Sequence, residues 1–474
     1  MAAKKGTNSG GGPELLLDLE RGGGRPLRAQ LEDRLREAVR VGRLPSGARL
    51  PATRALAFDL GVSRRMVVDA YAQLLAEGYL MARPGAGTFV AEAADAPRAP
   101  AAEPAESRLA FDFFPGYPDL TSFPRRPWLR ALRAVLRETP LASLGYPDVR
   151  GAPELRRALA GHLQRVRGVA ADPQTIVVCS GFAHGLMLLA RALDGGGGAH
   201  LAVEDPGLPP HRAILMAHGA RLSFLPVDEH GAQARQLAGI EVRAGRVDGA
   251  LVTPAHQSPT GVALAAERRT ALLEWAGSDG GVVVEDDYDA EYRYDRPPLA
   301  AMQGLAPDRV VYMGTVSKTL APALRLGWMV LPPRLVGAVA DQGFLTGSSV
   351  PTLDQLTLAG LIESGGYDRH LRQARRRYRA RRDALTRAVA EHLPGARVTG
   401  VAAGLHAIVR LPRAVDGVAL AGAARAHSVG VYSLGYAFAE PRLRHEGLML
   451  GYANLSEPAI EEGIRRLALA LAEV

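Results

Sequence analysis

The chain is predicted to fold as an α/β body behind a small, basic, mostly helical head, and three features carry that expectation. From residue 108 to the end, apolar runs of strand length alternate with amphipathic stretches of helix length, the pattern of an α/β fold. Ahead of it, residues 25–90 hold three short helical patterns and one hairpin pattern. Between the two, residues 91–107 are rich in Ala, Pro and Glu and offer almost nothing to bury, as in a semi-rigid linker.

Composition sets the outer bounds. At 474 residues with 47% apolar content, more than one domain and a large core are expected. A net charge of +8 and a pI near 9.8 permit a polyanionic partner without requiring one. The single cysteine, Cys179, excludes a disulfide framework and suits a reducing compartment. No apolar run approaches the roughly 18 residues of a membrane span, and no signal-peptide core follows Lys4 and Lys5. A cytoplasmic protein with no membrane partner and no metal site is expected.

Residues 1–24 are Gly-rich and expected to form a mobile tail, with a short Leu15–Leu19 run that has no assigned role. From Pro26, Leu27, Gln30, Leu31, Leu35, Ala38 and Val39 recur at helical spacing. After Pro51 a second helix carries Arg54, Leu56, Ala57 and Leu60 and stops at Gly61. Ser63 caps a third, whose inner face is Val67, Ala70, Tyr71, Leu74 and Leu75. Tyr79–Val90 is a hairpin turning at Pro84-Gly85. Three helices, a tight glycine turn and a hairpin wing make a winged helix-turn-helix.

Twelve arginines face six acidic residues over 21–90. Arg64 and Arg65 fall in the first turn of the third helix, where a recognition helix meets base edges, while Arg54 and Arg83 suit phosphate. A solvated face accounts for any one arginine, but poorly for four on one predicted surface. Double-stranded DNA is the expected partner.

In the body one lysine stands out. The chain has three, and the two others, Lys4 and Lys5, lie in the tail; Lys318 sits in Thr315-Val-Ser-Lys318, seven residues before Arg325. An amine can form an imine with a carbonyl, and an always-charged guanidinium cannot. Two hydroxyls, Thr315 and Ser317, with Arg325 would hold the phosphate of a phosphorylated aldehyde while the amine reaches its carbonyl carbon. The run Val282-Val-Val-Glu-Asp-Asp-Tyr-Asp289 is a buried strand ending in carboxylates. One of them is placed to protonate a pyridine nitrogen, and Tyr288 to reach a ring hydroxyl. The strand Thr175–Cys179 delivers Ser180-Gly181-Phe182 to a helix start, whose N–H groups favour an anion. Loops Glu204–Pro209 and Thr253–Gly261 follow strands and line a site in open α/β sheets. His256 in the second loop is either a polar ring contact or a plain loop histidine. Cys179 is expected to be a buried small apolar residue, and the arginines of a Tyr367–Arg387 helix a solvated face, with DNA contact as the alternative.

These residues carry a resemblance. Leu50-Pro-Ala-Thr-Arg-Ala-Leu-Ala57, Leu60-Gly-Val-Ser-Arg64, Tyr71-Ala-Gln-Leu-Leu-Ala-Glu-Gly-Tyr-Leu80 and Arg83-Pro-Gly-Ala-Gly-Thr-Phe-Val90 look like the GntR-type DNA-binding domain, with Met66 where Thr is frequent. That likeness adds Ser63, Gly85 and Gly87 to the DNA-binding candidates. Residues 108–474 resemble fold-type I aminotransferases, which implies a mostly parallel central sheet with helices on both faces. Together the chain resembles the MocR/GabR family of PLP-dependent transcription regulators.

The resemblance implies pyridoxal 5′-phosphate (PLP) on Lys318, with Asp286 at the pyridine nitrogen and Tyr288 at O3′. It implies Ser180, Gly181, Phe182, Thr315, Ser317 and Arg325 around the phosphate, and His256 and Leu208 at the ring. Tyr146 matches the tyrosine that reaches the neighbouring subunit's phosphate in a head-to-tail homodimer. Leu208 stands where an aromatic residue usually stacks on the ring. Met449 stands where many aminotransferases place a carboxylate-clamping arginine, with Arg410, Arg442 and Arg444 as alternatives. The expectation is a regulator sensing PLP, or a PLP–amino acid adduct, and controlling vitamin B6 metabolism. A working aminotransferase with an appended DNA-binding head is the alternative.

Overall fold

In the head, the apolar faces of helices Leu27–Arg40, Thr53–Asp59 and Arg64–Ala76 converge on one core. Leu31, Leu35, Leu56, Val67, Ala70 and Leu74 are its centre, closed by Leu80 and Val90 from the hairpin. Ser63 caps the third helix, its Oγ accepting from the Met66 N–H at 3.3 Å. The wing pairs Leu80–Arg83 with Gly87–Val90, Arg83 opposite Gly87, and Gly85 in its turn has φ +74°. The structure is a computed structural model describing residues 19–21, 24–91, 109–278, 281–294, 299–347, 350–400 and 402–474. The chain divides into two units, Met1–Ser107 and Arg108–Val474, and each is treated by itself. The linker over 92–107 and the tail over 1–18 lie outside the described residues.

Residues 19–21, at the end of the expected tail, make contacts within the head. Leu19 packs against the head's core, and Gln30 exchanges hydrogen bonds with the backbone of Glu20. Arg21 Nη2 donates to the carbonyls of Leu60 (3.1 Å) and Gly61 (2.7 Å). Those carbonyls lie past the end of the second helix and lack intrahelical donors, which is why a guanidinium finds a place there.

In the body, eight strands form one sheet in the spatial order Ile176–Cys179, Gly327–Val330, Val310–Thr315, Val282–Asp287, Gly249–Val252, His200–Asp205, Arg221–Asp228, Gly231–Ala232. Gly327–Val330 and Gly231–Ala232 run antiparallel to their neighbours, and the other strands run one way. The strands are apolar on both faces because helices cover both. Ile176, Val178, Trp328 and Val330 pack with Leu155 and Leu358 on one side. Val177, Val311 and Met329 pack with Leu186 and Val339 on the other. Cys179 is fully buried, and burial pushes its thiol up to about 12.

A second, antiparallel sheet of Arg397–Thr399, His406–Asp416, Arg444–Gly451 and Tyr432–Ser433 lies with helices Gly366–His392 and Glu457–Ala472. The long helix is not simply solvated on its basic face. Arg377 and Arg381 turn inward to the buried Asp119 at 3.6 and 3.0 Å, because that carboxylate needs cationic partners once it leaves water.

Candidate functional site

Strand Val310–Thr315 carries the chain to Lys318 beside the parallel strand Val282–Asp287. Lys318 Nζ donates to the Gly116 carbonyl at 2.8 Å. Gly116 has φ +91°, and a Cβ there would come within 3.0 Å of the amine, so only glycine lets this loop lie over it. Burial lowers the pKa of the amine against the opposing pull of Asp289 and Asp286. A more readily neutral amine is a better nucleophile toward a carbonyl.

Along Val282–Asp287 side chains alternate, so Asp286 points away from Glu285 and Asp287. Glu285 accepts from the Met302 and Gln303 N–H groups. Asp287 accepts from Arg167 Nε at 2.7 Å and from the Tyr312 hydroxyl at 2.6 Å. Asp286 is 3% exposed, and its Oδ1 has no hydrogen-bond partner among the described residues. Burial, then Asp287, Asp289 and Glu204, push its pKa well above the carboxylate range, with Lys318 opposing. Asp286 lines a small cavity of about 30 Å³ with Glu204, Leu208, His211 and Ser258. A carboxyl held this way is stabilised by a cationic N–H donor, which a protonated ring nitrogen supplies.

The anion end is assembled around Gly181, at the start of helix Gly181–Leu193 with φ +77°. Arg325 itself adopts φ +50° and donates from Nη2 to the Ser180 carbonyl at 2.9 Å. A Cβ on Gly181 would lie 3.4 Å from that guanidinium, filling the space between them. Thr315 Oγ1 lies 3.0 Å from Ser317 Oγ and also receives the Ser317 N–H. Helix N–H groups, two hydroxyls and an arginine together match a phosphate. The residues present therefore fit a phosphorylated pyridine aldehyde at both ends.

Not every candidate is brought to this place. Tyr146 is fully exposed. Leu208 does line the Asp286 cavity, from the residue before helix Pro209–Ala217, but it is His211 on that helix whose ring stacks on Phe182, centroids 4.6 Å apart. Burial lowers the His211 pKa to about 4, and Lys318 adds to the effect. His256 sits behind Tyr288, with Nδ1 3.0 Å from Asp289 Oδ2 and 3.1 Å from the Tyr288 hydroxyl. Met449 is half-buried against the apolar cluster of Ile408, Leu434 and Ala437. Arg410 pairs with Glu446, Arg442 stacks over Phe438, and Arg444 donates to the Ala414 carbonyl. Gly116, His211, Ser258 and Asp289 escaped sequence reasoning as individual residues. Of these only Asp289 carried a local signal, as the last carboxylate of the acidic run.

In the head, Arg54, Ser63, Arg64, Arg65, Gly85 and Gly87 are all exposed. Arg83 is exposed and lies over the Phe89 ring at 5.0 Å. Arg49, an unforeseen cation, reaches the wing, where a Cβ on Gly87 would meet its Nε at 3.2 Å. No helix among the described residues is long and apolar enough to cross a membrane.

Comparison with known proteins defines the class first. Residues 122–467 match the family described as aminotransferase class I and II, and residues 27–90 the bacterial regulatory proteins of the gntR family. A crystal structure of Pyrococcus horikoshii kynurenine aminotransferase, in complex with PMP, matches with TM-score 0.71 and 26% identity, over 78% of this chain and 92% of that one. The chain is 35% identical to the probable rhizopine catabolism regulatory protein MocR of Rhizobium meliloti over 96% of both chains. It is 34% identical to the pyridoxine biosynthesis transcriptional regulator PdxR of Corynebacterium glutamicum, over 85% of this chain and 87% of that one. The chain belongs to the MocR-type HTH transcriptional regulators, which join a GntR head to an aminotransferase-like body. A body of this class implies a PLP-type cofactor.

Proposed function

We propose that this regulator holds PLP on Lys318 and reports its presence by shifting a head-to-tail homodimer between DNA-binding states. The observation that carries the reading is the placing of a half-buried amine, Lys318, just beyond strand Val310–Thr315 and beside the adjacent strand whose Asp286 is buried, with Oδ1 lacking a hydrogen-bond partner among the described residues. Ser180, Gly181, Phe182, Thr315, Ser317 and Arg325 hold the phosphate, Tyr288 the ring hydroxyl, and the neighbouring subunit's copy of Tyr146 completes the cup. When bound, PLP supplies an electrophilic aldehyde and an electron-withdrawing ring. Arg64 and Arg65 read base edges, and Arg54 and Arg83 hold phosphates beside Ser63, Gly85 and Gly87. With Met449 in place of a clamping arginine, an α-carboxylate has weak support, so PLP alone is the signal. The likeness to a pyridoxine biosynthesis regulator supports control of vitamin B6 metabolism.

A ligand shifts the dimer only as far as its affinities for the two states differ. The test titrates operator affinity with PLP alone, then with amino acids added to the PLP form. An effect of PLP alone is expected. No effect of PLP with an effect of one amino acid makes the sensor an amino-acid one. Sustained keto-acid production favours instead a working aminotransferase, which the body's likeness to kynurenine aminotransferase keeps as the second reading.

A further inference from the structure

His256 and Asp289 are buried, at 3% and 1% exposure, beneath the loop that follows the central strand. Both carboxylate oxygens of Asp289 lie near His256 Nδ1, at 3.2 and 3.0 Å. The Tyr288 hydroxyl lies 3.1 Å from the same nitrogen. Space for the pair depends on Gly404, where a Cβ would fall 2.1 Å from His256 Cε1 and 2.7 Å from Asp289 Oδ2. His256 Nε2 is buried without a geometric hydrogen-bond partner among the described residues, and the Gly400 backbone favours protonation of the ring.

A carboxylate accepts only, so Asp289 fixes a proton on Nδ1. That N–H is shared between Asp289 and the Tyr288 oxygen, which therefore accepts. An accepting phenol keeps its own O–H for another partner. We propose that His256, held by Asp289, is a positioning residue that turns the Tyr288 hydroxyl outward to donate to the ring oxygen of the cofactor, a role resting on the PLP reading above. The fold devotes a buried ion pair and a glycine to one hydroxyl proton, and that proton sets the pH at which the bound cofactor changes form.

Other charged groups face the same place and are accounted for. His406 lies 5.5 Å from His256, ring to ring, with Nε2 bonded to the Pro259 carbonyl, and burial lowers its pKa to about 4, so it stays neutral. Asp286, Glu204 and Lys318 act from the strand ends. Burial lowers the His256 pKa, but Asp289 more than offsets this, and the net direction is up. Burial, then Asp289, holds Tyr288 well above the usual phenol range, against a hydrogen bond with Ser258 that acts the other way by favouring an accepting Tyr288 oxygen, so Tyr288 keeps its own proton to donate.

The experiment loads the full chain with PLP and follows its visible band across pH. A donor on the ring oxygen competes with the proton on the lysine-linked nitrogen and lowers the midpoint of that titration. His256→Leu is expected to raise the midpoint by about one pH unit, the order of one lost hydrogen bond to a charged group. Asp289→Asn, which preserves shape, moves it the same way. His256→Asn, which restores an N–H near the Nδ1 position, recovers part of the shift. Tyr288→Phe moves it alike, and the His256→Leu/Tyr288→Phe pair goes no further than Tyr288→Phe, because both act through one bond. Midpoints of both His256→Leu and Asp289→Asn unmoved from the parent overturn the proposal, as do additive shifts in the double variant. A parent that takes up no PLP removes the cofactor reading and this one with it, whereas a normal parent band with unmoved variants removes this one alone.

Discussion

In the head, Arg54, Arg64, Arg65 and Arg83 stand in solvent, whereas in the body Lys318 and Arg167 are enclosed by carboxylates and carbonyls. Arg65 lies 3.9 Å from Asp69 with 91% of its side chain exposed. Arg167 has 1% exposed and meets Asp287 at 2.7 Å. An exposed guanidinium acts at long range, is screened by salt and adds to its neighbours. In an enclosed ion pair, removing either partner leaves the other charge stranded. On the proposed reading, DNA binding by the head is then distributed and tunable by ionic strength, and cofactor binding by the body is concentrated in a few side chains.

The largest expected effect lies on the buried side. Lys318→Ala removes the only amine of the body that can form the covalent adduct, so borohydride trapping of PLP and its added mass should vanish completely. Trapping at the parent's level in this variant places the adduct elsewhere and breaks the comparison at its centre.

Arg167→Met comes next. Asp287 would keep Tyr312 but lose its cation in a site 5% exposed. A loss of about 3–5 kcal/mol is expected in thermal or denaturant unfolding. Replacing both partners, Arg167→Met with Asp287→Leu, should recover much of it, since the cost lies in the stranded charge and not in the missing pair. A double variant as unstable as the single one would assign the loss to packing of the arginine's stem.

Arg64→Ala probes the exposed side. If Arg64 reads a guanine, discrimination between operator and random duplex falls by about 1–3 kcal/mol. Arg54→Ala should weaken both duplexes alike and reduce the salt slope by about 1. Equal losses on both duplexes for Arg64→Ala make it a backbone contact, and the head then has one kind of arginine instead of two.

The same contrast explains what could be seen in the sequence. Head helices were legible because their signals are local: Leu31, Leu35 and Val39 fall one helical turn apart, and Ser63 caps the helix it precedes. Lys318 was legible through its isolation, and the strand Val282–Asp287 through its apolar run. Which carboxylate of that run stays unpartnered was not. Period-two alternation sends Asp287 to Arg167, 120 residues away, and leaves Asp286 alone on the other face. Gly116 meets Lys318 across 202 residues, and His256 meets Asp289 across 33. Contacts of that separation leave no periodic trace in either segment. The long helix keeps exposed arginines at Arg372, Arg376, Arg379 and Arg387, and the expected solvated face gives way only at Arg377 and Arg381, for the same reason, since Asp119 lies far upstream of them.

Arg21 is where the two regimes meet, and its expected effect is the smallest. It is exposed like Arg54, Arg64, Arg65 and Arg83, yet its Nη2 donates to the Leu60 and Gly61 carbonyls at the turn before the third helix. A Cβ on Gly61 would fall 2.6 Å from that nitrogen, so turn and arginine fit closely. Arg21→Ala leaves both carbonyls to water, at a cost of about 0.5–1.5 kcal/mol. If the turn loosens, the third helix presents Arg64 and Arg65 less well, and operator affinity of the full chain falls roughly threefold to tenfold. The salt slope separates the two ways this can happen. A guanidinium that acts by holding the turn releases no counterions, so the slope stays at the parent's value while affinity drops. A guanidinium that acts on phosphate lowers the slope by about 1. A fall in slope with no change in the head's thermal unfolding would move Arg21 into the distributed set, making it one more charge and not a brace.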